Sequence, residues 1–176
     1  MGRRSRLTVI VLVLGGVVAA AASQAYADGS ATDLIVPPGR DAVALRDAVR
    51  GALALLPRMP ARVAVMDVSE ATPEVRDRLL RLDAFTVRGN AVIYLVAQSD
   101  LLKGAQAGSA FHRAALAAVI WHEMTHLSGG DEHQARNAEA TLWTRFVRDG
   151  ATDQVTGLRY LRALEQRPDD TLMASR

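Results

Sequence analysis

The stretch HEMTH, residues 122–126, places two histidines four residues apart, with a glutamate directly after the first. The residues around it, 118–127, are mostly apolar and contain no glycine or proline, which predicts a helix. Residues four apart on a helix project from one face, so both imidazoles can bind one ion. Zinc accepts neutral imidazole nitrogens, and a catalytic zinc has three protein ligands and a fourth position for water. The pattern therefore predicts a zinc site.

Glu123 lies about 100° around the helix axis from His122. In that place its carboxylate can reach a water on the metal without being a ligand itself. It can take a proton from the water and later pass it to the leaving group, which is the role of a general base. A chance match to this short pattern is the alternative, but two histidines and a glutamate without partners would be costly to bury in an apolar helix.

HEMTH resembles the signature of the zincin metallopeptidases, and the resemblance extends over residues 122–143. It implies a small zincin-like domain, in which a short sheet packs on an active-site helix, and a peptide or protein substrate. In this clan the third zinc ligand comes from downstream. GGDEHQA resembles the Glu-x-x-Ala element of small gluzincins, and HEMTHLSGGDE resembles, as second choice, the metzincin spacing. Both alignments place Glu132 as the third ligand.

Helical phase tests Glu132 independently of the resemblance. In the helix predicted after the glycines, four apolar residues form one stripe: Ala135, Ala138, Leu142 and Phe146. Glu132 and Glu139 lie about 60° and 40° from the centre of the stripe, whereas His133 lies about 160° away and is expected to face solvent. Glu132 also adjoins the turn at 129–130, which returns the chain toward His126. Glu139 is the alternative ligand, or else accepts the N–H of a ligand histidine.

Hydrolysis also needs a donor for the negative charge that develops on the substrate oxygen. Tyr160, Tyr94 and His133 are the candidates, and Tyr160 is preferred because it follows the two helices of the site. His112 precedes His122 by ten residues. That separation is about 15 Å along a helix, so His112 cannot share the ion.

The order of the predicted elements indicates an α+β domain with a helical C-terminal half. Helices are predicted at 41–56, 69–82, 110–128, 131–148 and 153–166, and strands at 62–68 and on both sides of Gly89-Asn90 within 85–97. The segment 99–109 contains two glycines and is predicted to be a flexible connection. Residues 90–96 either pair with an extended substrate, as the zincin resemblance implies, or form an internal strand.

Residues 1–27 have the features of a signal peptide: three arginines, an apolar run of 16 residues and the small-x-small sequence Ala25-Tyr26-Ala27. The run is shorter than the roughly 20 residues of a membrane-spanning helix. We therefore expect cleavage before Asp28 and a periplasmic or secreted protein without a stable membrane anchor. The expected organisation has four segments: a signal peptide at 1–27, an extended lead-in at 28–40, the metallopeptidase domain at 41–167 and a loose tail at 168–176.

The charge balance gives no reason to expect nucleic acid as a partner. The chain has 21 basic and 19 acidic residues, and without the three arginines of the signal segment 18 basic residues remain, a net charge of −1. The chain has no cysteine, so disulfides cannot stabilise it. The leading function is an exported zinc-dependent peptidase. The alternative is a zinc-stabilised binding or structural domain without turnover, and the sequence leaves the oligomeric state and the cleavage preference open.

Overall fold

Four short strands form one mixed sheet in the computed structural model, which describes residues 31–69 and 71–166. In the order β1-β2-β4-β3, the strands are β1 (Asp33–Ile35), β2 (Arg62–Met66), β4 (Ile93–Val96) and β3 (Ala84–Thr86). β1, β2 and β4 are parallel, and β3 is antiparallel to β4. Part of the segment predicted as an extended lead-in is therefore strand β1. The predicted signal peptide and the tail at 168–176 lie outside the described residues.

More of the described residues are in helices than in strands, and the two together confirm the α+β class. They are α1 (Ala42–Leu53), α2 (Pro73–Leu79), α3 (Asp100–Gln106), α4 (Ala110–Leu127), α5 (Glu132–Arg148) and α6 (Gln154–Glu165). α4, α5 and α6 form the predicted helical C-terminal half. Within the described residues, no helix is long and apolar enough to cross a membrane.

The segment 99–109 is not the flexible connection that its glycines predict, because most of it forms α3. The hydroxyl of Ser99 accepts a hydrogen bond from the backbone N–H of Leu102 and caps the first turn. Leu102 and Ala105 are buried in the core. Capping and burial thus outweigh the low helix propensity of glycine at this place.

One face of the sheet packs against the helices. The core-facing residues of β2 and β4 alternate along the strands: Val63, Val65, Ile93 and Leu95. Ala64 and Tyr94 lie on the opposite face. α4 packs against β3 and β4, and its residues 114–120 are all buried. A helix that is apolar all round belongs in a core, so the helix that carries HEMTH is a central element of the fold.

The strand considered for substrate pairing lies inside the sheet. β4 is hydrogen-bonded to β2 on one side and to β3 on the other, and all four of its residues are buried. Both edges of β4 are occupied, so the prediction of an internal strand holds for residues 93–96, and these residues have no free edge for a substrate. Among the described strands, β3 is the outermost one next to α4.

Candidate metal centre

A two-glycine turn sends the chain back along α4. The N–H of Gly129 donates to the carbonyl of His126, and the N–H of Gly130 donates to the carbonyl of Thr125, both at 2.9 Å. This is the Schellman arrangement, which requires the left-handed φ of +88° seen at Gly129. A Cβ on Gly130 would lie 2.6 Å from Cγ2 of Thr125. The two glycines therefore permit a reversal tight enough to bring the start of α5 beside the end of α4.

A capping box then starts α5. Asp131 Oδ1 accepts the backbone N–H of Gln134 at 2.8 Å, and Gln134 Oε1 accepts the backbone N–H of Asp131 at 2.9 Å. These two bonds define the first turn of α5. Glu132 is the first residue of α5 and faces the end of α4.

Three ligand-type atoms converge between α4 and α5. Nε2 of His122 lies 3.1 Å from Nε2 of His126. Oε2 of Glu132 lies 3.3 Å from Nε2 of His126 and 3.7 Å from Nε2 of His122. This group could hold a metal ion. Its side chains are 13%, 26% and 28% exposed for His122, His126 and Glu132, so the group is open to solvent on one side.

Both histidines direct a lone pair into this group. Nδ1 of His122 lies 2.9 Å from Oε2 of Glu139, and Nδ1 of His126 lies 3.0 Å from the carbonyl oxygen of Gly130. A carboxylate and a carbonyl only accept, so we assign the proton of each neutral ring to Nδ1. The two Nε2 atoms are then acceptors that face each other and the carboxylate of Glu132. A metal cation between these three atoms would satisfy all of them.

Arg136 orients Glu132. Its Nε donates to Oε1 of Glu132 at 2.8 Å, one helical turn along α5. Because this bond uses Oε1, the other oxygen is the one that faces the histidines. A charge-assisted bond of this kind fixes the carboxylate more firmly than a neutral one would.

Glu139 supports His122 from behind. It is fully buried, and its Oε1 accepts the hydroxyl of Tyr160 at 2.5 Å while its Oε2 accepts Nδ1–H of His122. Glu139 is thus outside the group that could hold a metal, and it takes the accepting role predicted as its alternative. The hydroxyl of Tyr160 donates its one proton to Glu139, so this arrangement gives no support for the predicted role of Tyr160 as donor to the substrate oxyanion.

Glu123 is a buried carboxyl beside the group without belonging to it. Burial raises its pKa, and the charges of His122 and His126 and a hydrogen bond from the Thr86 side chain oppose this rise without cancelling it. Thr86 lies on β3, two residues after the core residue Ala84 and therefore on the face toward α4. A buried carboxyl with a raised pKa is typical of acid–base groups. The contact with Thr86 depends on how β3 lies over α4, so the sequence could not predict it.

The acidic groups around His122 favour positive charge in the site. Burial lowers the pKa of His122, but the hydrogen bond and charge of Glu139, together with the charges of Glu123 and Glu132, outweigh this effect and raise the pKa. The same surroundings stabilise a bound metal cation. The prediction of a metal site is therefore supported by electrostatics as well as by geometry.

The other histidines lie outside the group, as helical phase and spacing predict. His133 is exposed, and its Nδ1 lies 3.2 Å from Nδ2 of Asn137. Nδ1 of His112 lies 2.8 Å from the hydroxyl oxygen of Ser109 at the start of α4. His133 was also a candidate oxyanion donor, and its exposed position on the outer side of α5 gives no support for that role.

The described chain is thus an α+β domain with a His/His/Glu group that could hold a metal ion. Comparisons with protein-family models, with curated proteins and with solved structures give no match. Its function is therefore inferred from the chemistry of the site and from the zincin resemblance of HEMTH.

The two glutamates of α5 are expected to respond differently to loss of charge. If the group binds a metal, Glu132→Gln should release most of it, because the change removes the one negative charge of the group. Glu139→Gln should lower the affinity by about 10–100-fold, as is usual for the partner of a ligand histidine. Competition with a chromophoric zinc chelator measures both dissociation constants, and each variant is the control for the other. A larger loss in Glu139→Gln would show that the two roles are assigned the wrong way round.

Proposed function

We propose that this protein is an exported zinc-dependent hydrolase that cleaves peptide bonds, with His122, His126 and Glu132 as zinc ligands and Glu123 as general base. The observation that carries the proposal is the convergence of three acceptor atoms beside a buried carboxyl. The resemblance of HEMTH to the zincin signature supports the same function. Glu132 opens α5, and it belongs to the Glu-x-x-Ala sequence that resembles small gluzincins. This position favours the small gluzincin-like branch over the metzincin spacing.

The donor set fits zinc. Two imidazole nitrogens and one carboxylate oxygen suit zinc, whereas calcium and magnesium prefer oxygen ligands. The separations of 3.1, 3.3 and 3.7 Å between the three atoms bracket the ideal tetrahedral value. That value is about 3.4 Å between two ligands whose bonds to zinc are about 2.1 Å long. The separations of the three atoms are therefore close to this value, which supports the choice of zinc.

The number of ligands favours catalysis over a purely structural role. Structural zinc sites have four protein ligands and catalytic sites have three. The group contains three such residues among those described, and it is partly exposed. Zinc, when bound in such a site, polarises a carbonyl group and lowers the pKa of a water molecule.

The proposed task of Glu123 is to move the proton. Its carboxylate takes a proton from the attacking water and transfers it to the nitrogen of the leaving amine. The burial that raises its pKa makes it a stronger base than an exposed glutamate. Thr86 is placed to orient this carboxylate from β3.

The place of an extended substrate is β3. In zincins, which HEMTH resembles, an edge strand beside the active-site helix pairs with the substrate through backbone hydrogen bonds. β3 is the outermost described strand on this side, packs on α4 and carries Thr86 next to Glu123. A peptide paired with β3 would therefore lie beside the proposed base.

The proposal is tested by zinc content and by hydrolysis of unstructured peptides with the purified protein. We expect one zinc per chain and measurable turnover that a chelator abolishes and added zinc restores. Bound zinc without turnover of any peptide would reject the peptidase and favour the zinc-stabilised binding domain. Absence of zinc at micromolar concentration would reject both.

Export is tested separately by the N-terminus of the protein isolated from cells. We expect it to be Asp28, because Ala25 and Ala27 fit the small pockets of signal peptidase. Ala27→Phe should block cleavage, whereas Tyr26→Phe, which alters only the middle position, should not. An uncleaved chain in the membrane fraction of wild-type cells would show that residues 7–22 are an anchor.

A further inference from the structure

We infer that Tyr160 is a positioning residue of the metal centre, which acts through Glu139 to hold the imidazole of His122. The inference concerns a helix, α6, that the proposed reaction does not use directly. The part that concerns metal affinity rests on the proposed function, and the part that concerns the ring of His122 does not.

The three residues form a continuous hydrogen-bonded chain. The hydroxyl of Tyr160 donates to Oε1 of Glu139 at 2.5 Å, and Oε2 of Glu139 accepts from Nδ1 of His122 at 2.9 Å. The two bonds use the two oxygens of one planar carboxylate. Rotation of this carboxylate would break both bonds together, so the hydroxyl of Tyr160 fixes the oxygen that holds the histidine.

The burial of Glu139 makes these bonds important. Glu139 is 0% exposed, and a buried carboxylate is costly unless donors satisfy its oxygens. Removal of the Tyr160 hydroxyl takes one donor from Oε1. We expect the carboxylate to reorient and its bond with His122 to weaken. His122 then loses its preference for a proton on Nδ1. That tautomer is the one whose Nε2 lone pair faces a metal.

Tyr160 reaches Glu139 because α6 packs closely on α5. The Tyr160 ring stacks on Trp143, with centroids 4.0 Å apart and planes at 23°. The indole N–H of Trp143 donates to the carbonyl of Gly157 on α6 at 2.9 Å. A Cβ on Gly157 would lie 2.3 Å from Cγ2 of Val147, so only glycine allows this approach of the two helices. The final described helix is thereby joined to the metal centre.

Tyr160→Phe tests the inference because it keeps the stacked ring and removes only the hydroxyl. Tyr94→Phe is the matched control, since the hydroxyl of Tyr94 is also bonded, accepting from Asn90 Nδ2 at 2.7 Å, but lies on the far face of the sheet. We expect Tyr160→Phe to mix the two tautomers of His122, seen in the ¹⁵N spectrum of zinc-free protein at a pH where the ring is neutral. Its zinc affinity should fall about tenfold. Tyr94→Phe should leave both measurements unchanged.

The route through Glu139 is tested by the double variant. In the Glu139→Gln background, adding Tyr160→Phe should lower the zinc affinity further by less than about twofold. The reason is that Tyr160 acts on His122 only through Glu139. Wild-type ring shifts in Tyr160→Phe would overturn the inference, as would a full tenfold further loss in the double variant. Should Glu139→Gln fail to fold, the ring shifts of Tyr160→Phe decide alone.

These measurements separate the inference from the proposed function. Zinc binding without peptide hydrolysis would reject the peptidase and leave the role of Tyr160 standing. Peptide hydrolysis by the wild-type protein, together with unchanged His122 ring shifts in Tyr160→Phe, would support the peptidase and reject the role of Tyr160. A wild-type protein that binds no zinc would reject the zinc centre, and the tautomer of His122 would still decide whether Tyr160 positions it.

Discussion

His122→Ala and His126→Ala are each expected to abolish tight zinc binding. Each change removes one of the three proposed ligands and leaves two, which do not hold zinc firmly in a partly exposed site. Zinc bound to the native state also stabilises the fold, by about 4 kcal/mol when zinc is present at about 1,000 times its dissociation constant. For a domain of this size that is roughly 15 °C of melting temperature. Metal analysis after dialysis and thermal melts with and without zinc measure both losses.

His133→Ala is the matched control for these two variants. His133 directly follows the proposed ligand Glu132, but its side chain is exposed on the outer side of α5. It should therefore keep the full zinc content and the full thermal shift on zinc addition. The assignment of ligands would be wrong if His126→Ala retained zinc as tightly as His133→Ala does.

Glu123→Gln is expected to keep zinc and to lose hydrolysis. The amide has the shape of the carboxyl group but cannot take a proton from water. General base catalysis typically contributes 10²–10⁴-fold, so we expect a fall in turnover of about that size. Because Glu123 is not in the ligand group, the zinc dissociation constant should stay close to the wild-type value. Peptide hydrolysis at saturating zinc measures the first effect and chelator competition the second.

Glu165→Gln makes the same chemical change at an exposed position near the end of α6 and should leave turnover unchanged. A fully active Glu123→Gln protein would contradict the proposed mechanism. Loss of zinc in Glu123→Gln would instead place Glu123 among the ligands.

The parts of the site that were predictable from the sequence depend on local geometry. The spacing of HEMTH fixes two histidines on one helical face, and the glycines after it predict a sharp turn. Helical phase then separates Glu132 and Glu139 from His133, which the structure confirms in the placement of these three side chains. Short-range periodicity is a strong signal because it does not depend on the rest of the fold.

The parts that were not predictable depend on tertiary packing. β4 lies at the centre of the sheet and β3 at its edge, and strand order cannot be read from an apolar run alone. The hydroxyl of Tyr160 reaches Glu139 because α6 packs closely on α5, so the sequence could indicate a nearby tyrosine but not its direction. The bond between Thr86 and Glu123 joins a strand and a helix that are distant along the chain.

Anomalous X-ray diffraction at the zinc edge, from crystals of the zinc-loaded protein, tests the metal centre most directly. We expect one strong peak within about 2.0–2.2 Å of Nε2 of His122, Nε2 of His126 and a carboxylate oxygen of Glu132. Glu139 should remain hydrogen-bonded to Nδ1 of His122 behind this peak. The absence of a peak between the three side chains, or a zinc ion bound by Glu139 in place of Glu132, would contradict this expectation.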